Sequence, residues 1–142
     1  MVSFHQHQTV PYSAEAMYGL VNDVESYPEF ISWCDSAKIL SQQENEVVAQ
    51  LGFTFGPVHN AFTTRNTHTP HQKIMVTLVE GPFKHLNGSW HFKQTPKGCV
   101  ITFSIDFAFS SRLFAMTLGP VFKPAVATLM AAFIRRADEV LS

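Results

Sequence analysis

The sequence predicts an α+β domain in which a seven-stranded antiparallel sheet wraps around a long C-terminal helix, with two short helices after the first strand. Three observations support this fold class. Short segments that alternate apolar and polar residues recur between turn sequences, which is typical of strands. Helical spacing of apolar residues appears after the first strand and again in the C-terminal segment. Strands joined by short turns pair in an antiparallel manner, so they are expected to form one sheet.

The N-terminal segment contains the first strand and both short helices. Val2–Val10 alternates apolar and polar side chains, which predicts a strand. Ser13 can cap the first helix because its hydroxyl accepts a hydrogen bond from an N–H of the first turn. Pro28 has no N–H to donate and suits the first turn of a second short helix. The two helices are therefore expected to meet at an angle within residues 25–27.

The rest of the chain is predicted to form six strands and the long helix. The strands are expected at residues 37–41, 47–55, 60–69, 73–80, 85–94 and 100–109. They are separated by QENE, FGPV, TPHQ, GPFK and TPKG, which are turn sequences. Residues 113–141 return to helical spacing. Gly119, Pro120 and Pro124 interrupt this helix, so we expect a kink near Gly119, or a short helix followed by the main one.

Composition favours a single globular domain over residues 1–142. The chain is 46% hydrophobic and 15% charged, and this length can bury a core. The N-terminus lacks the basic and apolar regions of a signal peptide, and no apolar stretch is long enough to span a bilayer. We therefore expect a cytoplasmic protein with no transmembrane segment. Cys34 and Cys99 are isolated, which fits reduced, buried thiols better than a disulfide.

Charge is distributed unevenly along the chain. Residues 1–60 contain one basic and seven acidic residues, a net charge of −6, whereas residues 61–142 contain nine basic and four acidic residues, a net charge of +5. This asymmetry is compatible with a basic face, and equally with strands from the two halves that lie side by side and neutralise each other; charge runs more often form solvated surface. Arg65 is the single charge of its strand. It is expected to form an ion pair across the sheet or to contact a partner or a ligand head group.

Histidines raise the possibility of a metal site. His5 and His7 share one face of the first strand, and His68 and His71 flank a turn. A structural or catalytic zinc site needs at least three protein ligands, and the spacing supplies no third ligand or cysteine pair. We therefore predict no metal and no tightly bound cofactor.

Three stretches of sequence are similar to a known family. They are VPYSAEAMYGLVNDVESYPEFISWC at residues 10–34, FTTRN at 62–66 and EGPFKHLNGSWHF at 80–92. With the closing FIRRADEV, they resemble the RatA and coenzyme Q-binding protein family of the START-like, polyketide cyclase/dehydrase and lipid transport superfamily. The first stretch departs from the family pattern at Ser32, where proline is common. The resemblance covers nearly the whole chain and implies a helix-grip fold.

The resemblance also implies a hydrophobic cavity between the sheet and the C-terminal helix. It places Tyr27, Phe30 and Trp33 at the rim of that cavity, after the first helix. The predicted phases of the strands and of the last helix direct further apolar side chains into the same interior. These candidate ligand-binding residues are Phe53, Phe55, Phe62, Leu86, Trp90, Phe92, Phe103, Phe107, Val126, Met130 and Phe133. The alternative is that these residues are ordinary core packing.

Three functions follow from these observations. A cavity indicates noncatalytic binding of a hydrophobic molecule, and the family implies coenzyme Q (ubiquinone), another isoprenoid or a lipid-like ligand in support of respiration. The RatA branch implies binding to the large ribosomal subunit, which blocks subunit joining and inhibits translation. The superfamily also implies a polyketide cyclase-like enzyme, but the sequence contains no catalytic triad spacing, nucleophile elbow or phosphate loop. We therefore expect a hydrophobic small molecule and the large ribosomal subunit as partners, no DNA, and a cytoplasmic or membrane-peripheral location.

Overall fold

The computed structural model describes residues 2–141. Its centre is a seven-stranded antiparallel sheet with the order β1-β7-β6-β5-β4-β3-β2, which confirms the predicted sheet. The strands are β1 Val2–Val10, β2 Cys34–Gln43, β3 Glu46–Phe55, β4 Val58–Thr69, β5 Lys73–Glu80, β6 Phe83–Thr95 and β7 Gly98–Phe109. Successive strands from β2 to β7 pair through short turns. β1 instead pairs with β7 along its whole length, so the first and last strands lie side by side.

Two short helices follow β1, as predicted. Helix α1 spans Ala14–Asn22, and its N-cap is Ser13, whose Oγ accepts a hydrogen bond from the Ala16 N–H at 3.1 Å. A 3-10 helix spans Val24–Glu29. The prediction that Pro28 lies in its first turn is wrong. Helix α1 already ends at Asp23, whose N–H donates to the carbonyls of the preceding turn, so the 3-10 helix begins at once and Pro28 lies near its end.

The C-terminal helix is divided in two. Helix α2 spans Arg112–Ala127 and α3 spans Leu129–Val140, with a bend of 43° between them. The predicted kink near Gly119 is wrong, because α2 continues through that residue. The break lies at Thr128, whose hydroxyl and N–H both donate to the Ala125 carbonyl, at 2.9 and 3.2 Å. Within residues 2–141, no single helix has the length and hydropathy to cross a membrane, and α2 and α3 reach these values only as the bent pair.

The inner face of the sheet and the helices enclose the main hydrophobic core. Helix α1 covers one end of this face, and α2 and α3 cross it. Cys34 and Cys99 are buried, free thiols, which confirms the prediction that they form no disulfide. Burial raises the pKa of Cys34 to about 11 and also raises the pKa of Cys99. Both thiols are therefore protonated and unreactive near neutral pH.

The two oppositely charged halves of the sequence partly neutralise each other. Arg65 Nε on β4 lies 3.5 Å from Glu46 Oε1 on β3, which confirms the predicted ion pair across the sheet. Arg136 Nη2 on α3 lies 2.9 Å from Glu29 Oε1 of the 3-10 helix. Each pair joins a basic residue from the second half to an acidic residue from the first. The strands therefore bring part of the predicted charge asymmetry together.

Candidate ligand-binding cavity

A cavity lies between the inner face of the sheet and helices α2 and α3, beside the 3-10 helix. Its volume is about 100 Å³. An engineered protein cavity of about 150 Å³ accepts benzene. The cavity therefore has nearly the volume needed for one small ring, and a longer molecule would require the surrounding helices to move.

Eight of the predicted ligand-binding residues line this cavity. They come from six elements and from the segment after the 3-10 helix, and they are Tyr27, Trp33, Phe62, Leu86, Trp90, Phe103, Val126 and Phe133. The bend at Thr128 lets both C-terminal helices contribute, since Val126 precedes it and Phe133 follows it. The predicted phases of β4, β6, β7 and the C-terminal helices are thus correct at these positions.

The other six predicted residues do not line the cavity. They are Phe30, Phe53, Phe55, Phe92, Phe107 and Met130. Phe53 and Phe107 point into the interior, but their rings pack on Phe122, at centroid distances of 5.7 and 5.3 Å. Phe92 lies beneath α1, 5.9 Å from the Tyr18 ring. Side-chain alternation gave the correct face for the residues of this group that lie on strands, but other side chains fill the space around them.

Phe122 organises a second part of the interior. Its ring contacts those of Trp33, Phe53, Phe62, Phe83, Phe107 and Phe109, at centroid distances from 5.2 to 6.3 Å. We call Phe53, Phe83, Phe107, Phe109 and Phe122 the aromatic cluster. Phe122 also lines the cavity, so it marks the border between the two regions. The helical stripe of α2 places this residue against the sheet, but it does not show which rings surround it.

The cavity wall contains two polar residues that the sequence analysis did not select. Thr64 and Asn66 lie on β4 and line the cavity, with 5% and 9% of their surfaces exposed. Thr64 Oγ1 donates a hydrogen bond to Asn66 Oδ1 at 3.0 Å. The signal was present in FTTRN, because period-two alternation places Thr64 and Asn66 on the same face as Phe62.

The rim beside the 3-10 helix is held to α3 by rings and one ion pair. The Phe30 ring lies 5.3 Å from the Phe133 ring, and the Arg136 guanidinium lies 5.1 Å from the Phe30 centroid. Arg136 also forms the ion pair with Glu29. The Tyr27 hydroxyl donates to the Val21 carbonyl. These contacts connect the predicted rim residues to the helix that must move if the cavity is to enlarge.

The electrostatic character of the cavity is neutral. Its described lining residues include no Asp, Glu, Lys, Arg or His. Tyr27 is the one ordinary titratable side chain among them, and burial raises its pKa. Within residues 2–141, no group of three His, Cys, Asp or Glu side chains is positioned to bind a metal ion. The site is therefore suited to an uncharged, mostly apolar molecule.

Comparison with known proteins assigns the chain to a family. Residues 10–134 match the family described as polyketide cyclase / dehydrase and lipid transport. The chain belongs to this family. It is 43% identical over 134 residues to the ribosome association toxin RatA of Escherichia coli (strain K12), which covers 94% of this chain and 85% of that relative. It is 26% identical over 144 residues to the mitochondrial coenzyme Q-binding protein COQ10 homolog B of Xenopus laevis, which covers 98% of this chain and 59% of that relative.

The comparison also confirms the fold class. A START superfamily protein from Mycobacterium smegmatis superimposes with a TM-score of 0.81 over 97% of this chain and 98% of that chain. The two sequences are 16% identical, so this likeness concerns the fold alone. The predicted family and the predicted helix-grip architecture are both confirmed; the C-terminal helical segment is divided into α2 and α3 at Thr128.

Proposed function

We propose that the protein binds an uncharged hydrophobic molecule in the cavity and does so without catalysis. The observation that carries this proposal is the cavity itself, which is lined mainly by apolar side chains from the sheet and from both C-terminal helices. A ligand there would gain the free energy of removing apolar surface from water. The similarity to a coenzyme Q-binding protein favours ubiquinone, another isoprenoid or a lipid-like molecule as the ligand, in support of respiration.

The cavity lacks the groups that a cyclase or dehydrase reaction would need. General acid–base catalysis uses a positioned side chain whose pKa is close to the working pH. Among the described lining residues, Tyr27 is the ionisable candidate. Its hydroxyl donates to the Val21 carbonyl, and its pKa is raised by burial, so it is a poor base near neutral pH. This chemistry supports binding rather than turnover.

The bound molecule can be identified directly. The protein would be purified from cells, extracted with organic solvent, and the extract analysed by mass spectrometry. A quinone, isoprenoid or lipid in stoichiometric amount is expected. Val126→Trp provides the matched blocked variant, because Val126 lines the cavity and is 5% exposed. The indole ring should occupy the cavity, so the variant should remain folded and its extract should contain no ligand.

Two results would contradict the binding proposal. One is a clean extract from the parent protein together with no uptake of a neutral fluorescent probe such as N-phenylnaphthylamine. The other is a Val126→Trp variant that loses stability by about 1–3 kcal/mol, the usual cost of forcing extra volume into a packed core, while its probe binding equals that of the parent. Either would identify the lining residues as ordinary core.

We also propose that the protein associates with the ribosome, through its surface rather than its interior. The specific observation is the 43% identity to the ribosome association toxin RatA over most of both chains. The RatA resemblance implies the large ribosomal subunit as the partner and inhibition of translation as the result. Association with ribosomal RNA would require exposed Lys and Arg side chains that contact phosphates.

The outer face of the sheet offers a basic patch for this contact. Lys73 on β5 pairs directly with His91 on β6, and Lys93 lies two residues further along β6, on the same face. Lys97 lies in the following turn between β6 and β7. All four side chains are exposed. We call these four residues the basic patch.

Cosedimentation with isolated large subunits tests this second proposal. The parent protein is expected to cosediment at low and physiological salt and to dissociate at raised salt, because phosphate contacts are salt-dependent. The double variant Lys73→Glu and Lys93→Glu should not cosediment. Lys123→Glu is the matched control, since this exposed lysine lies on α2, away from the basic patch. Absence of cosedimentation at low salt, or equal loss in the control, would contradict the proposal.

A further inference from the structure

The inner face of β4 carries the polar side chains that interrupt the apolar interior. Among residues 2–141, the buried polar or charged residues are Thr63, Thr64 and Asn66. Thr64 and Asn66 line the cavity. Their partners in the sheet register are apolar, since Asn66 lies between Val47 on β3 and Val76 on β5. An amide in such surroundings destabilises the fold unless its hydrogen-bonding groups find partners.

The hydrogen bond between the two residues orients the Asn66 amide. Thr64 Oγ1 donates to Asn66 Oδ1 at 3.0 Å, so the amide oxygen is occupied and the Nδ2 group faces away from Thr64. An amide nitrogen carries two N–H donors. The described residues supply no hydrogen-bond partner for Asn66 Nδ2, and it is not among the fully enclosed side-chain atoms that lack a partner, which are Gln6 Oε1 and His68 Nε2. Asn66 Nδ2 therefore borders the open volume of the cavity.

A glycine on β6 leaves another part of the cavity wall without a side chain. Gly88 on β6 faces Val76 in the sheet register, and Val76 in turn faces Asn66. Gly88 also lines the cavity. A Cβ atom at Gly88 would lie 3.7 Å from both Val76 Cβ and Ile105 Cγ1, so any larger side chain at this position would extend into the cavity. The absence of a side chain at Gly88 leaves open volume in the cavity whose lining includes Asn66.

We infer that Thr64 and Asn66 form a hydrogen-bonding subsite in which the Asn66 amide donates to a neutral carbonyl oxygen of the ligand, such as that of a quinone ring. This inference rests on the proposed binding of a hydrophobic molecule and specifies its polar group. The described cavity lining contains no cationic side chain, so a carboxylate or phosphate would have no counter-ion. A hydrocarbon without an acceptor would leave the Asn66 donors unpaired. A carbonyl oxygen satisfies both conditions.

Two probes that share the same tetramethyl ring skeleton test this inference. Duroquinone carries two carbonyl oxygens, and durene carries none. Their dissociation constants would be measured by competition against N-phenylnaphthylamine. The parent protein should bind duroquinone about tenfold more tightly than durene, as expected for one net hydrogen bond. Asn66→Leu should abolish this preference while durene binding persists.

Further variants separate the subsite from general effects on the fold. Thr64→Val retains the shape of the threonine but removes the hydroxyl that orients the amide, so it should reduce the preference for duroquinone even if Asn66→Leu is poorly folded. Thr67→Val is the control on the same strand, because Thr67 is exposed on the outer face. It should bind both probes like the parent.

The possible failures are distinguishable. If the parent binds both probes equally, or if Asn66→Leu and Thr64→Val both retain the preference for duroquinone, the carbonyl subsite is wrong while binding of a hydrophobic ligand stands. If the parent binds neither probe and displaces no N-phenylnaphthylamine, the proposed ligand-binding function fails, and the subsite fails with it.

Discussion

The aromatic cluster and the cavity are neighbouring regions of one interior, and they differ in how completely side chains fill them. In the aromatic cluster, Phe107 is fully buried and its ring contacts three other rings. In the cavity, Phe103 lies on the same strand and the same face, yet it borders open volume. Both regions are built from large apolar residues. The difference comes from Gly88, from the short polar side chains of β4 and from the bend at Thr128.

This comparison shows that aromatic content does not by itself decide whether an interior is packed or hollow. In the aromatic cluster, the rings of Phe83 and Phe107 pack directly on that of Phe122 and leave little open volume on that side. A cavity needs positions where the opposing side chain is small or absent, such as Gly88 opposite Val76. Polar groups also limit packing, because apolar neighbours cannot satisfy the Asn66 amide.

The largest expected effect is a difference in stability between two Phe→Ala variants on β7, one in each region. Phe107→Ala should lower the free energy of unfolding by about 3–5 kcal/mol, the usual cost of deleting a buried ring. Phe103→Ala should cost less, because Phe103 already borders open volume and loses fewer contacts. Chemical denaturation would measure both. Equal costs would show that the two regions are packed to the same degree.

The same pair of variants should respond differently to a ligand. Phe103→Ala enlarges the cavity, so it should increase uptake of N-phenylnaphthylamine. Phe107→Ala should leave that uptake close to the parent level, since Phe107 does not line the cavity. Increased uptake by Phe107→Ala alone would place the ligand in the aromatic cluster.

Filling the cavity from the sheet side should stabilise the protein. Gly88→Ala adds a Cβ atom at ordinary contact distances of 3.4 Å or more from its neighbours. Alanine also loses less backbone entropy on folding than glycine, so the free energy of unfolding should rise by about 0.5–1 kcal/mol. Probe uptake should fall, because the methyl group occupies cavity volume. A destabilised Gly88→Ala with unchanged uptake would contradict the placement of the cavity beside β6.

A smaller effect is expected at the rim. Arg136→Gln removes the ion pair with Glu29 and the contact with the Phe30 ring. Partly exposed pairs of this kind contribute about 0.2–1 kcal/mol, so the unfolding free energy should change little. Probe entry, followed by stopped-flow fluorescence, should become faster because α3 is less firmly tied to the 3-10 helix. Arg135→Gln, at the exposed neighbouring position, is the control and should leave the entry rate unchanged.

The smallest expected effect concerns pH and the polar row of β4. His68 follows Thr64 and Asn66 on the inner face, its Nδ1 lies 3.0 Å from the Tyr18 hydroxyl, and burial lowers its pKa. The unfolded chain therefore binds a proton more readily than the folded protein, so this contribution to stability is present above the ordinary pKa of about 6.5 and is lost as the pH falls below it. In the His68→Gln variant, the free energy of unfolding measured by chemical denaturation should fall less between pH 7 and pH 5 than in the parent. Identical slopes for the parent and the variant would show that His68 does not contribute.

The sequence by itself determined the elements and their faces. Alternation of apolar and polar residues together with the turn sequences identified all seven strands, and Ser13 correctly marked the start of α1, because these signals depend on local backbone geometry. The same alternation directed Phe103 and Phe107 to the interior. The family resemblance correctly indicated the helix-grip arrangement. These properties follow from residues that are close together in the chain.

Only the tertiary structure decided where the interior stays open. Alternation assigns a side chain to a face, but it cannot show which residues from distant strands oppose it, so Phe53 and Phe107 could not be separated from Phe62 and Phe103. The helix breaks at Thr128, whose hydroxyl donates to the Ala125 carbonyl. The positions of Pro120 and Pro124 predicted a kink near Gly119 instead. The importance of Asn66 also emerged only in three dimensions. Its donors become significant because β3 and β5 place apolar side chains on either side of Asn66 and the residue lines an open volume.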